Sequence, residues 1–231
     1  MKKRIAIVGA SHGIGYALAR RLTSDGHSIE AFSRSEGKLA GLANVDFHPY
    51  DAENSVGFPE LRGPIDGLVY CPGTINLKPF HRLTEKDFLD DFRVNTLGAV
   101  IVIQKLLPKL KEAENSSIVL FSTVAVQKGM GFHASVAAAK GAVEGLTRSL
   151  ASEFAPKIRV NCIAPSLTDT PLAERLLNTP EKRVASAARH PLKKVGEPGD
   201  IASMAAFLLS DEAGWMTGQI VHIDGGMSSI R

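Results

Sequence analysis

Short β-branched or aliphatic runs alternate with helix-period segments along the whole chain, and this constrains the fold most. Arg4 to Val8 is followed by Gly13 to Thr23, where Ile14, Leu18, Ala19 and Leu22 recur at helical spacing. Further runs lie at His27 to Ser33, Val45 to Tyr50, Asp66 to Cys71, Ser117 to Ser122, Ile158 to Ala164 and Gln219 to Ile223. Helical stretches fall at Glu85 to Phe92, Thr96 to Lys111 and Ala134 to Phe154. A strand with no polar face is buried on both sides, and helices between such strands imply parallel pairing. The expectation is an α/β, doubly wound (Rossmann) parallel sheet of about seven strands, with helices on both faces.

The 231 residues fit a single domain. Lysines and arginines number 27 against 24 acidic residues, a formal charge of +3 with no basic tract of the kind nucleic acid selects. Cys71 and Cys162 are far apart and in no metal-ligand spacing, so neither a disulfide scaffold nor a metal site is expected. The apolar stretch after Lys2, Lys3 and Arg4 stops at Gly9, too short for a signal core or a membrane span. A reduced, cytoplasmic protein is the resulting expectation. The least regular part, 168–199, follows a strand end, where ligand-covering loops sit in open α/β sheets, and reads as a flexible substrate flap.

The first strand runs into Gly9-Ala10-Ser11-His12-Gly13-Ile14-Gly15 and then a helix. Glycines there let a pyrophosphate approach the backbone, and the helix N-terminus supplies unpaired N–H groups. This G-x-x-x-G-x-G spacing resembles the short-chain dehydrogenase/reductase family. Asp51, the Arg93 to Gly98 segment with Asn95, Lys140, Pro165 to Thr170, and the tail Thr217 to Gly226 follow in the family's order. The resemblance implies a nicotinamide dinucleotide. It places Gly9, Ser11, His12, Gly13, Ile14 and Gly15 along the pyrophosphate, and Asp51 and Ala52 at the adenine. Cys71 and Gly73 line the cleft, with Asn95, Lys140, Pro165, Thr168 and Thr170 at the nicotinamide end.

The second strand ends in Ser33-Arg34, a hydroxyl and a guanidinium where an acidic residue would select an unphosphorylated ribose. That chemistry suits a 2′-phosphate, with His12 as a second donor, so NADP(H) is the expected cofactor.

The family's catalytic set is Ser–Tyr–Lys, with the phenol donating a proton as hydride reaches the carbonyl carbon. Four residues before Lys140 stands Val136, which has no proton to give; the serine position is held by Thr123. Asn95 either holds a water beside Lys140 or pins an irregular turn. Ser135 and His133 are candidate replacements for the phenol, the histidine having the better proton-transfer chemistry, and both are also candidates for capping or surface roles. Tyr70-Cys71-Pro72-Gly73 replaces the family's N-N-A-G, Val8 its threonine and Ser166 its glycine after Pro165. Tyr70 reads as packing, Cys71 as a buried inert thiol.

The flap carries Arg175, Lys182, Arg183, Arg189, Lys193 and Lys194 against Glu174 and Glu181, a face suited to steering an anionic substrate or to solvation. The expected function is an NADP(H)-dependent carbonyl reductase or alcohol dehydrogenase with an atypical proton donor: Ser135, His133 or a water near Lys140 and Asn95. The alternative is an inactive NADP(H)-binding sensor or the partner subunit of an active homologue. By resemblance, the two longest helices pair copies into a homotetramer or homodimer.

Overall fold

The computed structural model describes residues 2–54 and 57–230. Among them, β1 (Arg4–Val8), β2 (Ser28–Ser33), β3 (Val45–Pro49), β4 (Gly67–Tyr70), β5 (Ser116–Phe121), β6 (Ile158–Pro165) and β7 (Ile220–Ile223) form one sheet. Every pairing is parallel, in the order β3-β2-β1-β4-β5-β6-β7. Helices α1 (Gly13–Ser24) and α8 (Pro198–Leu209) cover one face; α3 (Gly98–Glu112) and α5 (Ala134–Phe154) cover the other. The unbroken apolar runs follow from this layering. In β1, Ile5 and Ile7 join the core under α1 and α8, while Ala6 and Val8 join the core under α3 and α5.

The expected architecture holds, with boundary shifts of a residue or so. The largest local departure is at the helix expected from Thr96. It is entered through a π-helical turn, Arg93–Leu97, that continues α2 (Glu85–Phe92) into α3. A π turn takes carbonyls out of the ordinary i→i−4 ladder. One of them, Val94 O, accepts a 2.7 Å hydrogen bond from the buried Tyr70 hydroxyl at the end of β4. Tyr70 is therefore a packing residue, as its position suggested, and burial raises its phenol above the ordinary range. Gly98 makes room for it, since a Cβ there would overlap the Tyr70 oxygen.

The 168–199 segment is more ordered than an irregular loop. A 3-10 turn, Pro171–Ala173, leads into α6 (Glu174–Leu177) and α7 (Pro180–Ala188). Its two ends are tied together where Asp169 N donates to Gly196 O at 2.8 Å and Gly196 N to Leu167 O at 3.1 Å. Arg183 clasps Asp169 through two bonds of 2.5 and 3.1 Å. The remaining short helix, α4 (Val124–Lys128), follows β5.

The Tyr70–Gly98 fit gives a stability test. Gly98→Ala should cost about 1–3 kcal/mol through overpacking. Gly199→Ala, where nothing lies within 4 Å of the added methyl, should be neutral or stabilising by up to about 1 kcal/mol. Urea denaturation of the two variants measures both.

Candidate active site

The end of β1 turns sharply because three glycines allow it. Gly9 and Gly13 sit at φ +78° and +54°, and a Cβ on Gly15 would overlap Gly9 O. His12 occupies the N-cap of α1 without capping it; its Nδ1 pairs with Ser11 Oγ at 2.8 Å, and no acidic residue lies in the first turn. Among the described residues the leading N–H groups of α1 thus have no side-chain acceptor, which fits an anionic group such as a pyrophosphate.

The loop after β2 closes on this turn, with a Cβ on Gly37 lying 3.9 Å from His12 Cε1. Arg34 is exposed and, among the described residues, makes no ion pair. Lys38 stands 5.9 Å over the Tyr16 ring centroid. Ser33 differs from expectation: it is buried and its hydroxyl donates to Ser35 O at 2.9 Å, so its proton shapes the loop. Asp51 also folds its own turn, accepting from Glu53 N at 3.0 Å and Asn54 Nδ2 at 2.7 Å. Ala52 follows it, its carbonyl oxygen 3.3 Å from where a Cβ on Gly98 would lie.

A cavity of about 300 Å³ opens beside the turn, between the carboxyl ends of β4, β5 and β6 and the flap. Ile14, Pro165, Thr168 and Thr170 wall one end. Helical spacing in α5 brings Val136 and Lys140, four residues apart, onto the cavity face. Lys140 is buried, its Nζ donates to Phe121 O at 2.9 Å, and burial pushes its pKa from 10.5 down to about 8. Thr123 lines the cavity as the N-cap of α4, its Oγ1 accepting from Ala125 N at 3.3 Å, which leaves the hydroxyl proton to donate.

Asn95 meets Lys140 at Gly73, where an added Cβ would lie 3.2 Å from Asn95 Oδ1 and 3.4 Å from Lys140 Nζ. Its amide is engaged in the π turn: Nδ2 donates to Asp91 O and Thr74 Oγ1, both at 2.7 Å, and Oδ1 accepts from Thr74 N at 3.3 Å. Of the two readings of Asn95, these bonds are those of the residue that pins the turn.

The two proposed substitutes for the phenol are placed differently. Ser135 is buried off the cavity wall, a hundred-degree helical step from Val136, and its hydroxyl has no partner among the described residues. It neither caps α5 nor reaches the cavity. His133 does line the cavity, but α5 starts after it, so it shares no helix face with Lys140. Its Nδ1–H donates to Gly131 O at 2.7 Å. Cys71 also lines the cavity, and burial pushes its thiol up to about 12, which keeps it protonated near neutrality.

Two features escaped the sequence reading. Asp91 is buried and accepts from Thr74 Oγ1 at 2.5 Å; its position four residues before Asn95 on a continuous helix was a usable signal. His190, also buried, lines the cavity with Nε2 2.8 Å from Ser166 Oγ and Nδ1 2.8 Å from Ser186 O. No spacing pattern announces that pair. The flap's bases divide: Lys182, Arg183 and Lys194 are bonded to neighbouring flap or helix groups, and Arg189 reaches the cavity. Lys140, Arg189, His133 and His190 are the titratable nitrogens on its wall, and no carboxylate of the described residues lines it.

No helix among the described residues is long and apolar enough to cross a membrane. A family model described as enoyl-(acyl carrier protein) reductase matches residues 9–228. The chain is 33% identical to 3-oxoacyl-[acyl-carrier-protein] reductase FabG of Thermotoga maritima, covering 96% of each. It is 32% identical to L-xylulose reductase of Bos taurus, covering 97% of this chain and 96% of that one. Among solved structures, Cj0485 dehydrogenase superposes with a TM-score of 0.89 at 30% identity, covering 100% of this chain and 95% of that one. ElxO with NADP bound superposes at 0.88 and 25% identity, covering 99% and 100%.

Lys140 makes the site's pH signature. Its folded pKa lies below the unfolded one, so the unfolded chain binds the proton more tightly. The folded state is therefore penalised below about 8 and gains stability as pH rises toward 10.5. Relative to Lys140→Met, the wild type should gain up to about 3 kcal/mol between those limits, measured by denaturant titration at each pH.

Proposed function

Because this chain belongs to the short-chain dehydrogenase/reductase family, we propose that it is an NADP(H)-dependent oxidoreductase of the carbonyl reductase or alcohol dehydrogenase type, with a rebuilt proton-donor site. The observation that carries this reading is the walled cavity in which Lys140 and Thr123 converge beside the glycine turn although position 136 is valine. When bound, the nicotinamide supplies hydride chemistry to a carbonyl or alcohol carbon. The chain's own residues do the rest. The N-terminus of α1 takes the pyrophosphate, and Arg34, with His12 and Lys38 nearby, takes the 2′-phosphate. Ile14, Pro165, Thr168 and Thr170 hold the ring, and Lys140 donates to the ribose hydroxyls. Thr123 orients the substrate oxygen with the proton its cap bond leaves free, and the apolar wall excludes water.

The reductase names of similar proteins support a carbonyl substrate. The protein acts in the cytoplasm on a small molecule, and the flap moves to admit it. Copies pair through α3 and α5, where Ala138 and Gly145 are exposed small residues. Val136 favours a second reading, a dinucleotide sensor or the partner subunit of an active homologue.

Oxidation of NADPH across a panel of carbonyls, with binding followed by fluorescence, separates the two. Turnover supports the oxidoreductase; tight binding without turnover, with activity appearing only in Val136→Tyr, supports the sensor. Arg34→Ala should weaken NADPH about 10–100-fold and leave NADH affinity within about twofold, by calorimetry. Light scattering at a monomer mass would remove the paired helices.

A further inference from the structure

An oxygen that gains charge beside Val136 has no phenol to meet, and the hydroxyls around the cavity are not equivalent. Thr74 Oγ1 is held between Asp91 and Asn95, Ser122 Oγ gives its proton to Glu144 at 2.7 Å, and Thr123 Oγ1 accepts from Ala125 N. Ser135 lies off the wall. Ser166 is different: it stands just past Pro165, lines the cavity, and its Oγ lies 2.8 Å from Nε2 of a histidine that is 3% exposed.

We propose that Ser166 donates the proton to the substrate oxygen and that His190 recharges it, the pair replacing the missing tyrosine; this rests on the oxidoreductase reading above. The Ser186 carbonyl can only accept, so it holds the proton on His190 Nδ1 and leaves Nε2 to face Ser166. With the ring neutral, Ser166 donates to Nε2. With the ring protonated, Nε2–H donates to Oγ and turns the serine proton toward the cavity. Hydride, which a dihydronicotinamide would supply when bound, moves the carbonyl π pair to oxygen as it reaches the carbon, and that oxygen takes the Ser166 proton. Ser166 Oγ takes the Nε2 proton, and a solvent proton returns to the imidazole through Ser166 once the product has left the cavity.

The ring is fixed from two sides. His190 N donates to Ala187 O at 3.0 Å, and its Cβ and Cδ2 lie 3.6 Å from where a Cβ on Gly225 would stand. Ser166 follows β6 and His190 follows α7, so the pair depends on how the flap packs back against the sheet.

The test compares wild type, Ser166→Ala and His190→Gln, each also with Val136→Tyr, by kcat, KM, NADPH affinity and nitrogen NMR of the His190 ring. Loss of the donor should lower kcat about 100-fold with KM and NADPH affinity held within about twofold. Val136→Tyr should return Ser166→Ala to within about tenfold of wild type. Ser166→Ala should also shift the Nε2 resonance while Nδ1 keeps its proton. Unchanged kcat in both single variants overturns the relay alone, as does a fall that tracks NADPH affinity or an Nε2 signal indifferent to Ser166→Ala. NADPH binding with no carbonyl reduced, in wild type and Val136→Tyr alike, removes the oxidoreductase reading and the relay with it.

Discussion

The reversal of strand order between β1 and β4 governs where everything else can go. From β1 the chain crosses toward β2 and β3, and it returns to place β4 on the opposite side. The two connections leave in opposite directions, so no helix closes the crevice above those strand ends. The glycine turn after Val8 and the Cys71–Gly73 bend after Tyr70 face each other across that gap. A Cβ on Gly9 would lie 3.2–3.3 Å from Cys71 and Pro72. The ends of β5 and β6 then carry Phe121 O to Lys140 and Ser166 to His190. A chain with the same helices but a sheet that did not reverse would have no place to bring these groups together.

Around the crevice, polar burial is balanced with unusual partners. The π turn leaves Val94 O to Tyr70 and directs Asn95 to Thr74 and Asp91. Each such group left unmet would cost about 1–3 kcal/mol, which the Tyr70 hydroxyl, given room by Gly98, avoids at Val94 O. The balance is incomplete: Asp91 Oδ2 and Ser135 Oγ are buried and unpartnered among the described residues, at elements that pack on one another, α2 and α5. Buried polar atoms of this kind are the ones most sensitive to a change in a neighbour.

The fold was legible because the central strands, buried on both faces, leave an apolar trace, and each of the seven runs, the partly exposed edge strands β3 and β7 included, marks one strand. The glycine turn was legible because its spacing is local, whereas Lys140 and Asn95 were read from the resemblance to the family's order of motifs. A sequence does not say that the hydroxyl of Ser33 or the carboxylate of Asp51 will be engaged by its own loop. Ser135 failed on helix phase, one residue from the wall. Ser166 and His190 are 24 residues apart, and their meeting depends on how α6 and α7 fold back, a tertiary fact with no periodic trace.

The lining of the cavity carries a consequence for what stays out. Lys140 and Arg189 stand on its wall, while the nearest carboxylates, Asp91 and Glu144, sit behind Thr74 and Ser122. An amine brought to roughly 6 Å of a lysine ammonium meets a repulsion of about 3 kcal/mol at an effective dielectric constant of about 20. A wall so charged disfavours a protonated amine beside Lys140 relative to a neutral guest of the same shape.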